Sequence, residues 1–526
     1  MGIYLNPGNA GFQSMVKGLY IDKTGLISYI NSTLSTKDKL TCVSRPRRFG
    51  KSFAAQMLCA YYDKSCRSKE LFMGLEISKA FDFEKHLNQY HVIYLDITWF
   101  ISITRDIRNV VTEIQESVIE ELKAAYQGSV SGNARSLPVV LTQINATEKI
   151  KFIIIIDEWD ALFREAKEDI ILQKEYLQML RGLFKSNQTD KIIEAAYMTG
   201  ILPIKKYGTQ SALTDFKEFT MIRPLALAEY VGFTEWEVKV LCEEFQMDFE
   251  ETKKWYDGYS FSKVQSVYSP NSVISAMKNG EFGTYWTETE TYESLKLYID
   301  MNFDGLKDSI VAMLGGARCK ITTRKFQNDM TNIKSRDDVL TLLIHLGYLA
   351  YDSVHGEVFI PNMEISYEFE NAIDGVGWDD ITLALRASEA LLDATLAGNA
   401  EAVAQAIDEV HMANTSVLAY NDENSLSCAV TIAYYSAKKE YTLIREFPTG
   451  KGFADIVFLP RKSTLDKPAL IVELKWDRKA EGAISQIKDK KYVQAIDSYN
   501  GEILLVGINY DKKSKKHDCQ IEKYWK

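Results

Sequence analysis

Residues 151–163 read KFIIIIDEWDALF, in which a continuous apolar run ends at Asp157 and Glu158. An apolar run without alternation is typical of a parallel strand that is covered on both faces. Such a sheet needs helices on both sides, because its crossover connections return over the faces. Ligands gather at the carboxyl ends of its strands, where the two acids lie. The run therefore predicts an α/β domain with a doubly wound parallel sheet.

A second segment, TCVSRPRRFGKSF at residues 41–53, has the strand, loop and helix context of a phosphate-binding loop. Its end matches the pattern G-x-x-x-x-G-K-[ST], but Arg45 stands where the first glycine is expected. In this pattern Gly50 lets the backbone approach the phosphates, Lys51 meets the β and γ phosphates, and Ser52 ligates Mg²⁺. The residues predicted to bind ATP are Arg45, Pro46, Arg47, Arg48, Phe49, Gly50, Lys51, Ser52 and Phe53.

The two acids at the end of the apolar run complete the predicted nucleotide site. We expect Asp157 to hold Mg²⁺ together with Ser52, and Glu158 to polarise the attacking water as a general base. Thr199, at the end of a later predicted strand, either senses the γ-phosphate or caps the following turn. Arg223 is a candidate for stabilising the charge that develops on the phosphates, or else an ordinary surface arginine. ATP and Mg²⁺ are the expected cofactors.

At 526 residues the chain is long enough for several domains. We predict a phosphate-loop domain over residues 1–225, a helical and winged-helix-like region over 226–375 and a third domain over 376–526. The first domain needs further parallel strands, and the sequence supplies three apolar candidates: His91–Thr98, Ile192–Gly200 and Phe219–Leu225.

The middle region opens with a capping box, in which Thr234 caps a helix and Glu237 follows three residues later. Its motif WYDGYSF, at residues 255–261, is aromatic and turn-forming, which favours a packed corner between helices. Residues 337–362 predict a helix, a strand, a turn and a strand. We expect this region to act as a lid over the nucleotide or as a relay to the next domain.

The third domain carries charged residues inside apolar strands. Glu473 and Lys475, in LIVELKW, share one face of a predicted strand because they are two residues apart. Asp455, in the preceding strand FADIVFLP, completes a carboxylate pair suited to Mg²⁺. Buried charges without a partner are strongly unfavourable, so a bound cation is favoured over an ordinary alternating strand. We predict metal-dependent phosphodiester cleavage there, with Lys475 positioning the water.

Composition limits the cellular setting and the partners. No apolar run is as long as a membrane span, no secretory leader is evident, and the seven cysteines form no CxxC pair. We therefore expect a cytoplasmic protein with reduced thiols and no membrane contact. The net charge is −10, yet residues 461–526 contain 15 Lys and Arg against 10 Asp and Glu. A local basic surface can bind nucleic acid, whereas the DKKSKKHD run within it, residues 511–518, is by itself an ordinary solvated loop.

The segments RPRRFGKS, GLYIDKTGLI, IIIIDEWDALF and YMTGILPI closely resemble the bacterial AAA-ATPase-like family. In that family an arginine and a proline usually open the loop, which accounts for Arg45 and Pro46. ATPases of this type frequently complete their site with an arginine from a neighbouring copy, which makes a homo-oligomer a candidate assembly, but the sequence does not determine the oligomeric state. It also implies a motif near the nucleotide, at Tyr20, Asp22, Lys23 and Thr24.

Members of that family often carry a C-terminal nuclease domain of the PD-(D/E)xK superfamily, and the strands with Asp455, Glu473 and Lys475 resemble its core. The resemblance adds Gln486 as a catalytic candidate, on a helix that continues into Lys490, Lys491 and Tyr492. Catalysis is thus assigned to Glu158 in the first site, and to Asp455, Glu473, Lys475 and Gln486 in the second.

Two details of the superfamily pattern stay open. An early helix glutamate is expected, and either Glu423 or Glu446 fits it. Where related domains place glycine and arginine before the aspartate, this chain has Phe453 and Ala454, so a phosphate contact is absent or is supplied elsewhere.

Two sites on one chain predict that ATP binding or turnover licenses Mg²⁺-dependent cleavage of nucleic acid, with DNA as the expected substrate. The family's occurrence in bacteria suggests a role against foreign DNA. The alternatives are a nucleotide-switched protein whose nuclease-like domain holds nucleic acid without cutting, and a protein whose ATPase is triggered by a partner. The presence of Asp455, Glu473 and Lys475 together favours cleavage, because a degenerate binder often lacks one of them.

Overall fold

The computed structural model describes residues 2–204, 206–207, 210–211, 213–261, 264–286, 292–301, 303, 305–327, 333–374, 378–413, 423–449, 452–461, 464, 466–490, 492–496, 499 and 501–524. The chain forms two compact units: Met1–Glu290 with Lys320–Ile365, and Thr291–Cys319 with Ser366–Lys526. The segment predicted as a middle region, 226–375, is therefore divided between the two units.

The first unit begins with a parallel α/β layer, which confirms the predicted fold class. The strands follow the order β2-β3-β4-β1-β7 and all of their pairings are parallel. In chain order the elements are α1 (Ala10–Val16), α2 (Gly25–Thr33), β1 (Leu40–Ser44), α3 (Lys51–Tyr62), α4 (Lys69–Phe72), α5 (Phe83–His86), β2 (His91–Asp96), α6 (Ile97–Ile103), α7 (Val110–Ala125), α8 (Leu137–Glu148), β3 (Phe152–Asp157), α9 (Ala161–Glu165), α10 (Ile170–Phe184), α11 (Thr189–Ile192), β4 (Ile193–Gly200), β5 (Lys206–Tyr207), β6 (Gln210–Ser211) and β7 (Lys217–Phe219).

The central strands of this sheet end together at one edge. β4 lies between β1 and β3, with Val43 in register with Thr199 and Ile156 in register with Met198. β3 is buried along its whole length, as its unbroken apolar run predicts. Apolar side chains of α7, α8 and α10 share one core with the sheet. The loop after β1 and the acids after β3 therefore emerge on either side of β4.

The strand predicted over His91–Thr98 is two residues shorter in the structure. It ends at Asp96, whose carboxylate accepts a hydrogen bond from the backbone N–H of Trp99. This cap starts α6 at Ile97, because it satisfies a donor that a helix leaves unpaired at its first turn.

The strand predicted over Phe219–Leu225 is wrong, because β7 ends where that prediction begins. Thr220 and Arg223 bond each other through their backbones, and the Arg223 N–H also bonds the Thr220 hydroxyl at 3.1 Å. This turn leads into Pro224, which has no N–H to donate to a strand ladder.

The elements after the parallel sheet include the predicted capping box and the predicted hairpin. The Thr234 hydroxyl and the Glu237 carboxylate bond each other's backbone N–H at the start of α12. Strands β8-β10-β9 form an antiparallel sheet, and β12 and β13 pair antiparallel after α17. The elements are β8 (Phe233–Thr234), α12 (Glu235–Phe245), α13 (Phe249–Tyr256), β9 (Tyr259–Phe261), β10 (Val264–Tyr268), α14 (Pro270–Asn279), α15 (Tyr292–Asp300), α16 (Leu306–Leu314), β11 (Cys319–Lys320), α17 (Arg336–Leu346), β12 (Ala350–Asp352) and β13 (Glu357–Phe359).

The second unit is built on a mixed sheet in the order β14-β15-β16-β17-β18. β16 and β17 are parallel and the other pairings are antiparallel. None of the described helices is long and apolar enough to cross a bilayer. The remaining elements are α18 (Met363–Asp374), α19 (Asp379–Leu396), α20 (Ala400–Ala413), α21 (Glu423–Ala433), β14 (Tyr441–Thr449), β15 (Gly452–Pro460), β16 (Ala469–Trp476), α22 (Ala480–Asp489), β17 (Ile503–Asp511) and β18 (Lys516–Tyr524).

Candidate functional site

The loop after β1 reaches α3 through a left-handed glycine. Gly50 has φ +89°, and a Cβ placed on it would meet no atom within 4 Å, so the backbone conformation is what favours glycine here. α3 begins at Lys51, whose ammonium donates to the carbonyl of Pro46 at 3.0 Å. Because the first N–H groups of a helix have no internal acceptor, this end of α3 is suited to an anion.

Arg45, which replaces the first glycine of the pattern, is fully buried. Its guanidinium donates to the carbonyls of Ser44 at 3.0 Å, Phe219 at 3.2 Å and Leu227 at 3.4 Å, and lies 5.0 Å from the ring centre of Phe261. Burial lowers the pKa of Arg45 to about 10, so the side chain stays a cation at neutral pH. Arg45 therefore ties the end of β1 to β7 and β9.

The next loop residues pack against the WYDGYSF segment and its neighbours. The ring of Phe49 lies 5.4 Å from that of Tyr259 and 6.4 Å from that of Trp286. A Cβ on Gly347 would come within 2.7 Å of Pro46. The Tyr259 hydroxyl donates to the Gly347 carbonyl at 2.5 Å. The WYDGYSF segment is thus packed, as predicted, and part of its contact is with the phosphate loop.

The other residues predicted near the nucleotide, three arginines and Phe53, differ in their exposure to solvent. Arg47 is half-buried, and its charge acts on Glu158. Arg48 is exposed and has φ +65°. Phe53 is 55% exposed, and Arg223 is exposed on the turn after β7. The charge of Arg47 therefore helps to lower the pKa of Glu158, one of the two acids after β3.

Asp157, only 2% exposed, connects three elements at the edge of the sheet. Its carboxylate accepts hydrogen bonds from the hydroxyl of Thr199 and, at 3.4 Å, from that of Tyr94. Burial raises the pKa of Asp157, and the nearby hydroxyls of Thr199 and Ser52 offset part of that rise. The structure therefore brings together the two predicted Mg²⁺ ligands, Ser52 and Asp157.

Glu158 adopts a left-handed backbone, with φ +52°. Its Oε1 lies 3.2 Å from the ammonium of Lys51, and its Oε2 accepts from Arg164 at 2.5 Å. Burial by itself would raise the pKa of Glu158, but the charges of Lys51 and Arg164 together outweigh it and lower the pKa. We refer to Lys51, Ser52, Asp157 and Glu158 as the phosphate-loop site.

Sequence reasoning missed two residues behind Glu158. Arg164 also lies 3.3 Å from the carboxylate of Asp160, which is 1% exposed. Asp160 in turn accepts the backbone N–H groups of Ile201 and Leu202, the latter at 2.9 Å. The spacing of four residues between Asp160 and Arg164 is a sequence signal for a helix-surface pair. It carries no signal that the same arginine reaches Glu158.

The residues of the phosphate-loop site fit a nucleoside triphosphate with Mg²⁺. The N-terminus of α3 offers N–H donors and Lys51 offers a cation, which are the groups that bind phosphate oxygens. Ser52 and Asp157 supply hydroxyl and carboxylate oxygens, the ligand types that Mg²⁺ prefers.

The motif Tyr20–Thr24 lies between helices of the first unit. The ammonium of Lys23 bonds the Glu237 carboxylate at 2.6 Å, which links the motif to the start of α12. The Asp22 carboxylate accepts the Glu76 N–H at 2.6 Å. These contacts give the motif a structural role, and its predicted place near the nucleotide stays a prediction.

The second site lies where β15, β16 and α22 meet. Glu473 is 1% exposed, and its Oε1 accepts from the ammonium of Lys475 at 2.9 Å and from the amide of Gln486. The Asp455 carboxylate accepts the backbone N–H of Leu474 at 2.7 Å. The structure thus gathers four predicted residues, and we refer to Asp455, Glu473, Lys475 and Gln486 as the carboxylate site.

The electrostatics of the carboxylate site favour a bound cation. Burial and the nearby charge of Asp455 raise the pKa of Glu473 to about 7. Its Oε2 is buried and has no hydrogen-bond partner among the residues that the structure describes. Two carboxylates with an unused buried oxygen fit Mg²⁺, which would satisfy that oxygen and balance the charge.

Two further residues missed by the sequence shape the loop between β16 and α22. The side chain of Asn509 bonds both the N–H and the carbonyl of Arg478 at 2.9 Å. Asp518 accepts from the Asn509 amide at 2.7 Å and from the N–H of Ala480 at 2.9 Å. These bonds fix the start of α22 and so position Gln486. They join separate strands, which no spacing in the sequence indicates.

Some predicted residues are only partly described. Glu423 begins α21 and Glu446 lies within β14, but their side chains are outside the described part of the chain, as is Lys491 altogether. Tyr492 is described, and its hydroxyl accepts from the Gln486 amide at 3.2 Å.

Comparisons with known proteins match two separate parts of the chain. Residues 8–209 match the family described as "Predicted AAA-ATPase" (AAA-ATPase-like), and residues 422–519 match the PD-(D/E)XK nuclease superfamily. No curated protein matches the chain. Among solved structures, the ORC2 protein of Aeropyrum pernix in ADPNP-ADP complexes is 11% identical, with 69% of this chain and 98% of that one covered and a TM-score of 0.31. PCH-2 of C. elegans is 12% identical, with 48% and 49% covered and a TM-score of 0.19.

Proposed function

This chain joins an AAA-ATPase-like domain to a domain of the PD-(D/E)XK nuclease superfamily, and from that premise we propose that it hydrolyses ATP and cleaves DNA with Mg²⁺. ATP binding or turnover at the phosphate-loop site licenses cleavage at the carboxylate site. The observation that carries the proposal is Oε2 of Glu473, which is buried near the charge of Asp455 and has no hydrogen-bond partner within the described part of the chain. Such an arrangement is unfavourable for folding alone, and a catalytic cation explains it.

When ATP binds at the phosphate-loop site, we expect the ammonium of Lys51 to exchange its ion pair with Glu158 for contacts with the β and γ phosphates. Bound Mg²⁺ supplies neutralising charge on the phosphates. Glu158 then orients the attacking water as general base, and Arg164, 2.5 Å from its Oε2, keeps the carboxylate in place. Thr199 stays bonded to Asp157 and holds that acid against β4.

At the carboxylate site Lys475 acts beside Glu473. Bound Mg²⁺ supplies Lewis acidity toward the phosphodiester and lowers the pKa of a bound water. Lys475, at 2.9 Å from Glu473, orients the nucleophilic water and stabilises the charge that develops on the phosphate. The amide of Gln486 holds the Glu473 side chain in its rotamer, since it donates to the same oxygen as Lys475.

The test is cleavage of supercoiled and linear plasmid with Mg²⁺, with and without ATP. Wild type, Glu473→Ala and Lys51→Ala are compared, and ATP hydrolysis is measured on the same preparations. We expect Glu473→Ala to lose cleavage and keep ATP hydrolysis, and Lys51→Ala to lose hydrolysis and the effect of ATP on cleavage. Cleavage that persists in Glu473→Ala would refute the assignment of the carboxylate site.

An outcome with ATP hydrolysis and no cleavage would favour the nucleotide-switched binding protein. Binding of DNA that is unchanged by a chelator would support it further. The setting that we propose is the cytoplasm, in keeping with the free thiols of the described cysteines. A role against foreign DNA predicts that cells with wild-type protein resist phage and that cells with Glu473→Ala do not.

A further inference from the structure

The strand that carries Glu473 and Lys475 ends beside a second, basic loop. β16 and β17 run parallel, with Lys475 in register with Asn509 and Trp476 with Tyr510. The chain therefore leaves both strands at the same end of the sheet, the carboxyl end of β16 and β17. One exit is the loop 477–479 and the other is the turn 512–515, between β17 and β18.

The two loops are bonded to each other. The N–H of Asp477 donates to the carbonyl of Tyr510 at 2.8 Å, and the N–H of Lys512 donates to Asp477 Oδ1 at 3.3 Å. The N–H of Arg478 donates to the side chain of Asn509 at 2.9 Å. The turn is therefore fixed relative to the end of β16 and does not project independently.

Together these loops and the first residue of β18 present six exposed cations, which we define as the basic rim: Arg478, Lys479, Lys512, Lys513, Lys515 and Lys516. No member of the rim forms an ion pair with another residue in the described ranges. Two carboxylates, Asp477 and Asp511, lie beside the rim, and each accepts backbone N–H groups. Asp511 accepts the N–H groups of Lys513 and Ser514 at 2.7 and 2.8 Å, and Asp477 accepts that of Lys512.

The rim begins close to the carboxylate site. Arg478 follows Lys475 by three residues, and Lys512 follows the register partner Asn509 by three. Both loops therefore begin within a few residues of the level of Lys475 in the sheet. Phosphates on one DNA strand follow each other at about 3.4 Å of helix axis. A DNA strand bound with one phosphate beside Lys475 would have further phosphates within reach of cations at this end of the sheet.

We infer that the basic rim binds DNA backbone phosphates on one side of the cleaved bond. The inference rests on the proposed function and deepens it, because it names the surface that holds the substrate. It also gives a role to the DKKSKKHD run, which the sequence alone leaves as a solvated loop. The chain outside residues 461–526 carries a net charge of −15, so this concentrated positive surface is needed for a phosphate backbone to approach.

The experiment measures binding of fluorescein-labelled duplex DNA by anisotropy, from about 50 to about 200 mM KCl. Both proteins carry Glu473→Gln to prevent cleavage. One keeps the rim, and the other adds Lys512→Gln, Lys513→Gln, Lys515→Gln and Lys516→Gln. Each lost phosphate contact reduces the magnitude of the slope of log K against log salt by about 0.9, so we expect that magnitude to fall by about 3.6.

A matched control removes four exposed lysines of the first unit by Lys79→Gln, Lys85→Gln, Lys174→Gln and Lys191→Gln. It has the same net charge as the rim variant and should keep the original slope. If the four rim changes impair folding, the pair Arg478→Gln and Lys479→Gln in the other loop should reduce the magnitude of the slope by about 2.

Equal slopes with and without the rim would overturn the inference and leave the proposed function standing. A duplex RNA of the same sequence is measured in parallel, and a rim effect confined to RNA would overturn the assignment to DNA. If the rim-bearing protein binds neither duplex and wild type cuts no plasmid, the inference and the proposed function fail together.

Discussion

Glu158, which is half-buried, and Glu473, which is buried, both lie near the carboxyl end of a strand, yet their surroundings differ in charge. Glu158 lies between Lys51 and Arg164, and their charges lower its pKa. Glu473 has one cationic partner, Lys475, and burial together with the charge of Asp455 raises its pKa to about 7. Two cations therefore compensate the negative charge of Glu158 at the phosphate-loop site. At the carboxylate site part of the negative charge stays uncompensated.

This difference indicates when each site takes up a divalent cation. The charge of Glu158 is already compensated, so the affinity of the phosphate-loop site for Mg²⁺ should be highest when the negative phosphates of the nucleotide bind with it. The carboxylate site has an excess of negative charge, and the buried Oε2 of Glu473 has no hydrogen-bond partner among the described residues. It should therefore bind a divalent cation with no nucleotide present.

The largest expected effect is on cation binding without nucleotide. We expect Glu473→Gln to weaken Mn²⁺ binding at least about 100-fold, because it removes a charged ligand oxygen. Asp157→Asn should leave the same binding unchanged. Titration of the nucleotide-free protein, followed by the Mn²⁺ paramagnetic resonance signal, measures both. If Mn²⁺ binding without nucleotide is lost in Asp157→Asn and kept in Glu473→Gln, then the cation binds at the phosphate-loop site and not at the carboxylate site.

The second effect concerns the cation behind Glu158. Arg164→Met should lower kcat for ATP hydrolysis about 30-fold and change KM less than about threefold, because the general base loses its orientation. Arg164→Lys should recover part of the loss, since it keeps the charge without the planar fork. Steady-state kinetics separate the two parameters, and a change confined to KM would contradict the positioning role.

A smaller effect is expected on stability from the arginine that opens the loop. Arg45→Met removes a buried cation and leaves three carbonyls without their donor, so it should destabilise the first unit by about 2 kcal/mol. Arg48→Met is the matched control, because Arg48 is exposed, and it should change stability by less than about 0.5 kcal/mol. Thermal unfolding measures both variants, and equal midpoints would show that Arg45 has no structural role.

The smallest effect follows from the pKa of Glu473. Its pKa rises from 4.5 to about 7 on folding, so the folded protein holds the proton more tightly than the unfolded chain does. The free energy of unfolding of the metal-free protein should therefore fall as pH rises through that interval, by about 1.4 kcal/mol per unit at most.

Glu473→Gln has no proton to lose, so its stability relative to wild type should increase between pH 5 and pH 8 in a chelator. Unfolding midpoints at the two pH values test this. If the stability difference between Glu473→Gln and wild type is the same at both pH values, then the pKa of Glu473 is not raised by folding. The carboxylate site would then have no excess negative charge.

The sequence was sufficient for the features that lie within single segments. The apolar run before Asp157 predicted a buried parallel strand, and FGKS predicted a loop that leads into α3. The spacing of Glu473 and Lys475 predicted that both face the same side of β16, and their side chains are in contact. In each case the signal is a local period or motif.

The features that it missed depend on contacts between distant segments. Arg164 looks like any charged residue on a short helix until α9 brings it to Glu158. Asn509 and Asp518 bracket the start of α22 only because β17 and β18 pair beside it. The strand predicted beyond Phe219 failed for a local reason, a turn between Thr220 and Arg223 that the apolar composition concealed.

The packing of the phosphate loop has a kinetic consequence. Pro46 and Phe49 are held against Gly347, Tyr259 and Trp286, so this half of the loop is already ordered before any ligand arrives. A preorganised loop loses little conformational entropy on binding, and this favours long residence of the product as well as of ATP. Release of ADP should then limit the rate of turnover. Its rate should depend on how readily the residues around Tyr259 separate from the phosphate loop.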